Sequence, residues 1–226
     1  MIITTFLKKY PVTLVVLLAV AAGCRKDDAA ANNTGNSSTT STIDETAYTS
    51  GTPEGSTETG YNEDDLVENA TFSSVVEINF GAAVTVTNPL SAAGVTVEQS
   101  GSDVTVTSTA KEVEYILSGT TTDGSLKIYS DNKFRLTLNG VSVTNNDGPA
   151  INIQSPKRAF IVLADNTTNT LTDGSAYTVS VNGEDMKAAF FSEGQLIFSG
   201  EGSLSVKGNY KHGICSDDYV RIRSGN

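Results

Sequence analysis

Tryptophan is absent from these 226 residues, histidine occurs once and cysteine twice. The missing Trp argues against a flat, Trp-lined platform for crystalline polysaccharide, while eight Tyr and eight Phe leave other sugar contacts open. Two cysteines provide no disulfide framework, and Cys215 reads as a small buried apolar residue. Basic residues are also scarce: 15 Lys and Arg stand against 26 Asp and Glu, for a net charge of −11. That balance argues against nucleic acid and anionic membrane surfaces as partners and is compatible with cation binding. The apolar run from Val12 to Ala22 is too short to span a bilayer.

Lys8 and Lys9 precede that run, which ends in Ala21-Ala22-Gly23-Cys24. A basic patch, an apolar core and small residues at the cut describe a secretory signal over residues 1–23. The cysteine directly after them makes the segment resemble a lipoprotein signal, in which that thiol is acylated, although Ala21 stands where Leu is usual. The alternative is an ordinary signal with Cys24 as a spare thiol. Arg25-Lys26-Asp27-Asp28 resembles the export tag of Bacteroidetes surface lipoproteins, or else simply begins a polar linker. The expectation is lipidation at Cys24 and a place on the outer membrane, exposed at the cell surface. Loss of residues 1–23 removes Lys8 and Lys9 and no acid, which takes the net charge to −13.

Residues 24–70 read as a tether. Asn32 to Thr42 is nearly all Asn, Ser, Thr and Gly, and such a stretch buries too little apolar area to offset its ordering entropy. A flexible chain of this length reaches about 40 Å. From Phe72 onward the texture changes to β-branched runs split by Gly, Asn, Asp and Pro, among them Val75–Phe80, Val84–Thr87 and Val104–Thr107. No stretch keeps a helical period, so residues 71–226 are predicted to be all-β.

Four segments then align, each a serine, a polar turn and a strand: Ser130 to Leu136, Ser155 to Ile161, Ser192 to Phe198 and Ser216 to Ile222. The serines lie 25, 37 and 24 residues apart, and the long interval is expected to hold one extra strand pair between Ser175 and Met186. A period near 24 with short strands suits a parallel β-helix, whose coils stack equivalent residues into ladders. A sandwich of hairpins is the alternative. The chain stops at the end of a strand with no polar cap, so further coils are expected beyond residue 226.

The phrases Leu138-Asn139-Gly140-Val141-Ser142-Val143-Thr144, Gly148-Pro149-Ala150-Ile151, Leu163 to Asp173 and His212-Gly213-Ile214-Cys215-Ser216-Asp217-Asp218 resemble the carbohydrate-binding β-helix proteins first recognised in clostridial cellulose degraders. The resemblance covers about residues 110 to 226. It implies a right-handed parallel β-helix like that of pectate lyases, bound calcium, and binding of cellulose and acidic pectic sugars, without implying lyase activity.

Calcium takes six to eight oxygens from carboxylates, Asn side chains and carbonyls. The candidate ligands are Asp147 beside Asn145 and Asn146, Asp185 beside Glu184, and the pair Asp217 and Asp218. With coils stacked in register, Glu193 faces Asp217, and two carboxylates there repel unless a cation intervenes. Each of these residues also serves as a plain turn former. His212, the lone histidine, sits at a glycine corner and reads as a surface residue rather than a base. Lys157-Arg158 and the alternating pair Arg221 and Arg223 are the dense basic sites, and the latter two point outward to meet an acidic sugar or merely solvent. The expected function is therefore non-catalytic capture of polysaccharide at the cell surface with calcium. A calcium-dependent polysaccharide lyase and a structural or adhesive surface protein stand as rivals.

Overall fold

Short β-branched and aromatic runs, broken every few residues by Gly, Asn, Asp or Ser, leave room for strands and for little else. The computed structural model describes residues 62–225; the expected signal peptide, Cys24 and the tether up to residue 61 lie outside the described residues. In chain order the strands are β1 (Ser74–Phe80), β2 (Thr85–Thr87), β3 (Val95–Ser100), β4 (Asp103–Ser108), β5 (Val113–Thr121), β6 (Ser125–Ser130), β7 (Phe134–Thr144), β8 (Ile151–Ile153), β9 (Ala159–Leu163), β10 (Thr168–Thr172), β11 (Ala188–Ser192), β12 (Leu196–Gly200), β13 (Ser203–Lys207), β14 (His212–Ser216) and β15 (Val220–Ile222). Three short 3-10 turns accompany them, and there is no α-helix among the described residues.

Two mixed sheets result. The first runs β15-β12-β9-β7-β5-β1-β2, with β10 beside the second half of β7 and β13 beside β10. The second runs β14-β11-β8-β6-β4-β3. Every neighbour pair is parallel except β1 with β2 and β3 with β4, so the hairpin arrangement of a sandwich is not what these strands adopt.

Register is kept from strand to strand, and it sorts side chains into rows. Val76, Tyr115, Leu136, Ile161 and Phe198 pair in succession and are all buried. Val104, Leu126, Ile151 and Phe190 do the same in the second sheet. Period-two alternation then sends the intervening residues of each strand to the opposite face. The rows break at one bulge, where Asn139 and Gly140 of β7 stand against Ser118 alone. Next to it Gly119 has φ +82°, and a Cβ there would lie 1.9 Å from the Phe80 carbonyl oxygen. Only glycine fits.

The four aligned serines build the corners. Each Oγ accepts the N–H two residues on: Asn132 to Ser130 at 3.3 Å, Lys157 to Ser155 at 3.3 Å, Gly194 to Ser192 at 3.2 Å and Asp218 to Ser216 at 3.0 Å. Ser155 Oγ also donates to the Ser130 carbonyl at 2.6 Å, which ties one corner to the next. Four residues after each serine, Phe134, Ala159, Leu196 and Val220 fall into mutual register. On the other side of the corner the alignment slips: Ser192 pairs with Ile153 rather than with Ser155. There β8 ends two residues early, and Gln154 and Ser155 become part of the turn.

The long interval holds no strand pair. Between β10 and β11 the only regular element is a 3-10 turn, Val181–Gly183, in which Asn182 (φ 52°) and Gly183 (φ 75°) are both left-handed. Two successive positive φ values turn the chain back before a strand can form.

Residues 62–70, read above as the end of the tether, are folded. They make two 3-10 turns, Glu63–Asp65 and Val67–Asn69. Asp65 is 1 % exposed: its Oδ1 accepts from Arg158 Nε at 2.8 Å and from the Tyr219 hydroxyl at 2.7 Å, and Oδ2 pairs with Arg221 Nε at 3.0 Å. Glu68 accepts both terminal nitrogens of Arg223, at 2.8 and 3.2 Å. Phe72 stacks edge-on against Phe160, with the Arg135 guanidinium over its ring at 5.2 Å. This clasp covers the outer row of the first sheet, in which Phe160, Ile197 and Arg221 are in register, and explains why Phe160 and Ile197 are buried although they point away from the core.

A buried ion pair that loses one member leaves a desolvated charge behind. Asp65→Asn is therefore expected to lower stability by about 3 kcal/mol in urea unfolding, whereas Glu68→Gln, at an exposed pair, leaves the midpoint nearly unchanged. Equal midpoints for the two variants would contradict the clasp.

Candidate functional site

With the outer face of the first sheet closed by the clasp, the outer face of the second sheet is the one that offers polar side chains in rows. Thr105, Lys127 and Asn152 pair across β4, β6 and β8 on that face. Beside them Ser125 Oγ donates to Asp103 Oδ1 at 2.6 Å. A cleft of ≈ 260 Å³ is lined by these residues together with Asn145, Asp147, Thr178 and Met186. It shares Asp103 and Thr105 with a shallower hollow of ≈ 540 Å³ along Glu98, Gln99 and Ser100 of β3. A polar trough thus crosses four adjacent strands, about 14 Å at the usual strand spacing.

The β10–β11 segment walls this trough. Glu184 pairs with Lys127 Nζ at 2.8 Å and accepts a short hydrogen bond from the Tyr129 hydroxyl. Burial first, and Glu184 second, push the Tyr129 phenol above its ordinary range, so it stays a donor. Gln154 Nε2 bridges Asn152 Oδ1 at 2.7 Å and the Asp185 carbonyl at 2.8 Å, and Thr178 N–H reaches the Asp147 carbonyl at 2.8 Å. Asn152 is 3 % exposed, and its Nδ2 has no hydrogen-bond partner among the described residues.

At the far edge of the same face lies an acidic cluster. Asp185, Glu193 and Asp217 each bring a carboxylate oxygen within 4.8 Å of the others. The expected facing of Glu193 and Asp217 follows from the pairing of Ser192 with Ser216. A cation does stand among them, and it is Lys187: its Nζ lies 2.7 Å from Asp185 and 2.7 Å from Asp217. Hydrogen bonds to Asp185 and Asp217 raise the Lys187 ammonium above its ordinary range. Burial first, then Asp217 and Asp185, push the Glu193 carboxyl up. Of the four aspartates proposed for calcium, only Asp185 and Asp217 come together. Asp147 lies in the trough, and Asp218 is held by a short hydrogen bond from Gln195. As calcium donors, three carboxylates with an ammonium already between them are a poor fit.

Arg221 and Arg223 do point outward and do bind carboxylates, but these are Asp65 and Glu68 of the same chain. Arg158 is likewise held by Asp65. His212 is exposed at the start of β14. Cys215 lies on the outer row beside Phe191, half-buried rather than in the core, and burial raises its thiol. The trough residues Thr105, Lys127 and Asn152 were not singled out from the sequence. Their signal was the alternation in Ser125-Leu126-Lys127-Ile128-Tyr129, whose polar positions share one face.

The sequence model of a family described as "Carbohydrate-binding domain-containing protein" matches residues 100–226, more than half of the chain. A protein of that same description from Acetivibrio thermocellus is 34% identical over 116 residues, which is 50% of this chain and 40% of that protein. Among solved structures, a polysaccharide lyase-like protein from C. thermocellum superposes with a TM-score of 0.57 at 29% identity, over 67% of this chain and 59% of that one. The chain thus spans less than two thirds of the length of either relative.

The raised Glu193 carboxyl carries a pH dependence. The folded protein holds that proton more tightly than the unfolded chain, whose value is near 4.5, so ionised Glu193 costs stability above that pH and nothing below it. Glu193→Gln in metal-free buffer is expected to raise Tm at neutral pH, with the gain vanishing below about pH 4. A lower Tm at neutral pH would contradict this.

Proposed function

Because the chain belongs to the carbohydrate-binding domain family, we propose that it is a lipid-anchored surface protein that captures polysaccharide in the trough of the second sheet without cleaving it. One observation carries this reading: Asn152 offers a buried, unpartnered amide donor in a polar cleft. Such a donor costs free energy until something accepts from it, and sugar hydroxyls both accept and donate. Ser125, Thr105 and Lys127 alongside provide further polar contacts for a chain laid across the strands.

In this reading the parallel, in-register strands wind as a right-handed parallel β-helix, and the ligand is cellulose or a pectin-like acidic glycan. The superposition on a polysaccharide lyase-like protein supports the β-helix. It also suggests a second reading, a polysaccharide lyase. Elimination needs a basic side chain able to take a proton. Lys127, Lys187 and Arg158 are each paired with carboxylates, which favours binding over cleavage. Among the described residues, the group of three carboxylates that could take calcium is Asp185, Glu193 and Asp217, in exchange for Lys187.

Affinity gels containing cellulose derivatives, pectin or polygalacturonate test the proposal. Wild type is expected to be retarded in at least one gel, and Asn152→Ala to bind about five- to tenfold more weakly, the weight of one buried hydrogen bond. No retardation in any gel would sink the reading and favour an adhesive role, and growth of unsaturated-product absorbance would establish a lyase. If chelation leaves the bands unmoved, calcium drops out.

For the anchor, support comes from the run ending at Cys24. No helix among the described residues is long and apolar enough to cross a membrane. Cys24→Ser is expected to move the protein out of the membrane fraction; unchanged fractionation would contradict lipidation.

A further inference from the structure

The outer row of the second sheet runs through five strands, and its accessibility falls steadily along the way. Glu98, Thr105, Lys127, Asn152 and Phe191 pair in succession across β3, β4, β6, β8 and β11. Glu98 is exposed, Thr105 and Lys127 are half-buried, Asn152 is 3 % exposed and Phe191 is fully covered. Phe191 faces away from the core, because its neighbour Phe190 supplies the inner row. Its burial therefore needs a cover on the trough side of the sheet.

The β10–β11 segment is that cover, and it is fastened at both ends of β8. Thr178 N–H donates to the Asp147 carbonyl at 2.8 Å before the strand, and Gln154 Nε2 donates to the Asp185 carbonyl at 2.8 Å after it. Residues 178–185 thus form a bar along the strand direction, transverse to the row of paired residues. Glu184 carries the bar to Lys127 and Tyr129 of β6. Lys187 Nζ, paired with Asp185, lies 5.6 Å from the Phe191 ring. At the other end of the row β3 is the edge strand of its sheet, and Glu98, Gln99 and Ser100 are exposed. Among the described residues the trough is therefore open at β3 and shut beyond β8.

Asn152 stands at the shut end. Its Oδ1 accepts from Gln154 at 2.7 Å, the residue that also holds Asp185, so the bar fixes the amide and leaves Nδ2 as its unpartnered atom. A site that lets a long chain pass through needs two exits, and this trough has one. We propose that it recognises the end of a polysaccharide chain, with the terminal sugar against Asn152 and the rest leaving over β3. This rests on the polysaccharide-binding reading and adds to it that internal stretches of the chain are not bound. The competing role for the bar is to cover Phe191 alone while the glycan passes above it.

Calorimetric titration of the full chain with cello-oligosaccharides from trimer to hexamer and oligogalacturonates from trimer to dodecamer separates the two. One protein is expected per oligosaccharide at every length, with an affinity that stops rising once the trough of about 14 Å is filled. A site that accepts internal stretches would load more than one protein on the dodecamer and bind it about twofold or more tighter than the hexamer, because a longer chain offers more registers. That result overturns chain-end recognition and leaves the trough standing. Asn152→Ala is expected to weaken every length alike. If it binds as wild type does, chain ends are held elsewhere and the proposal is likewise overturned. If wild type is retarded in polymer gels but binds neither series, chain-end recognition falls alone; if it does neither, both readings fall.

Discussion

Everything in this protein hangs on the strands keeping their parallel register from one repeat to the next. A slip of one residue would turn a whole apolar row to solvent and a polar row to the core. Register is held at the corners, where each serine closes a local turn through its own hydroxyl. The Ser155 bond to the Ser130 carbonyl then fixes one turn over another. Given that restraint, Val76, Tyr115, Leu136, Ile161 and Phe198 form one continuous buried ladder.

The same restraint creates outer rows, and the two sheets use theirs differently. On the first sheet, Glu114, Arg135, Phe160, Ile197 and Arg221 follow one another in register. That row mixes charge and apolar surface and is covered by residues 62–72 through Asp65 and Phe72. On the second sheet the row is Thr105, Lys127 and Asn152, partly walled by the β10–β11 segment but left as a trough. The N-terminal residues close one outer face, and that leaves the polar row of the other open.

What could be read in the sequence was what repeats. The serine spacing gave the corners and the strand that follows each of them, and stacking by that spacing put Glu193 opposite Asp217. What could not be read was set by partners far away along the chain. Tyr219 meets Asp65 across 154 residues, so nothing near Arg221 or Arg223 signals that a carboxylate already waits for them. Lys187 was invisible as the cation of the acidic cluster because the segment carrying it has no strand to fix its direction. The two-residue slip at β8 was hidden by Gln154 and Ser155, which are plausible strand residues and are used here as turn.

The central claim is that polysaccharide lies across β3, β4, β6 and β8. Amide hydrogen exchange of the protein with and without a retarded glycan tests it most directly. Slowed exchange is predicted in residues 98–105, 123–129 and 145–154, with residues 62–72 and 158–162 unchanged. Protection confined to the clasp and the first sheet, with none around Asn152, would contradict the account.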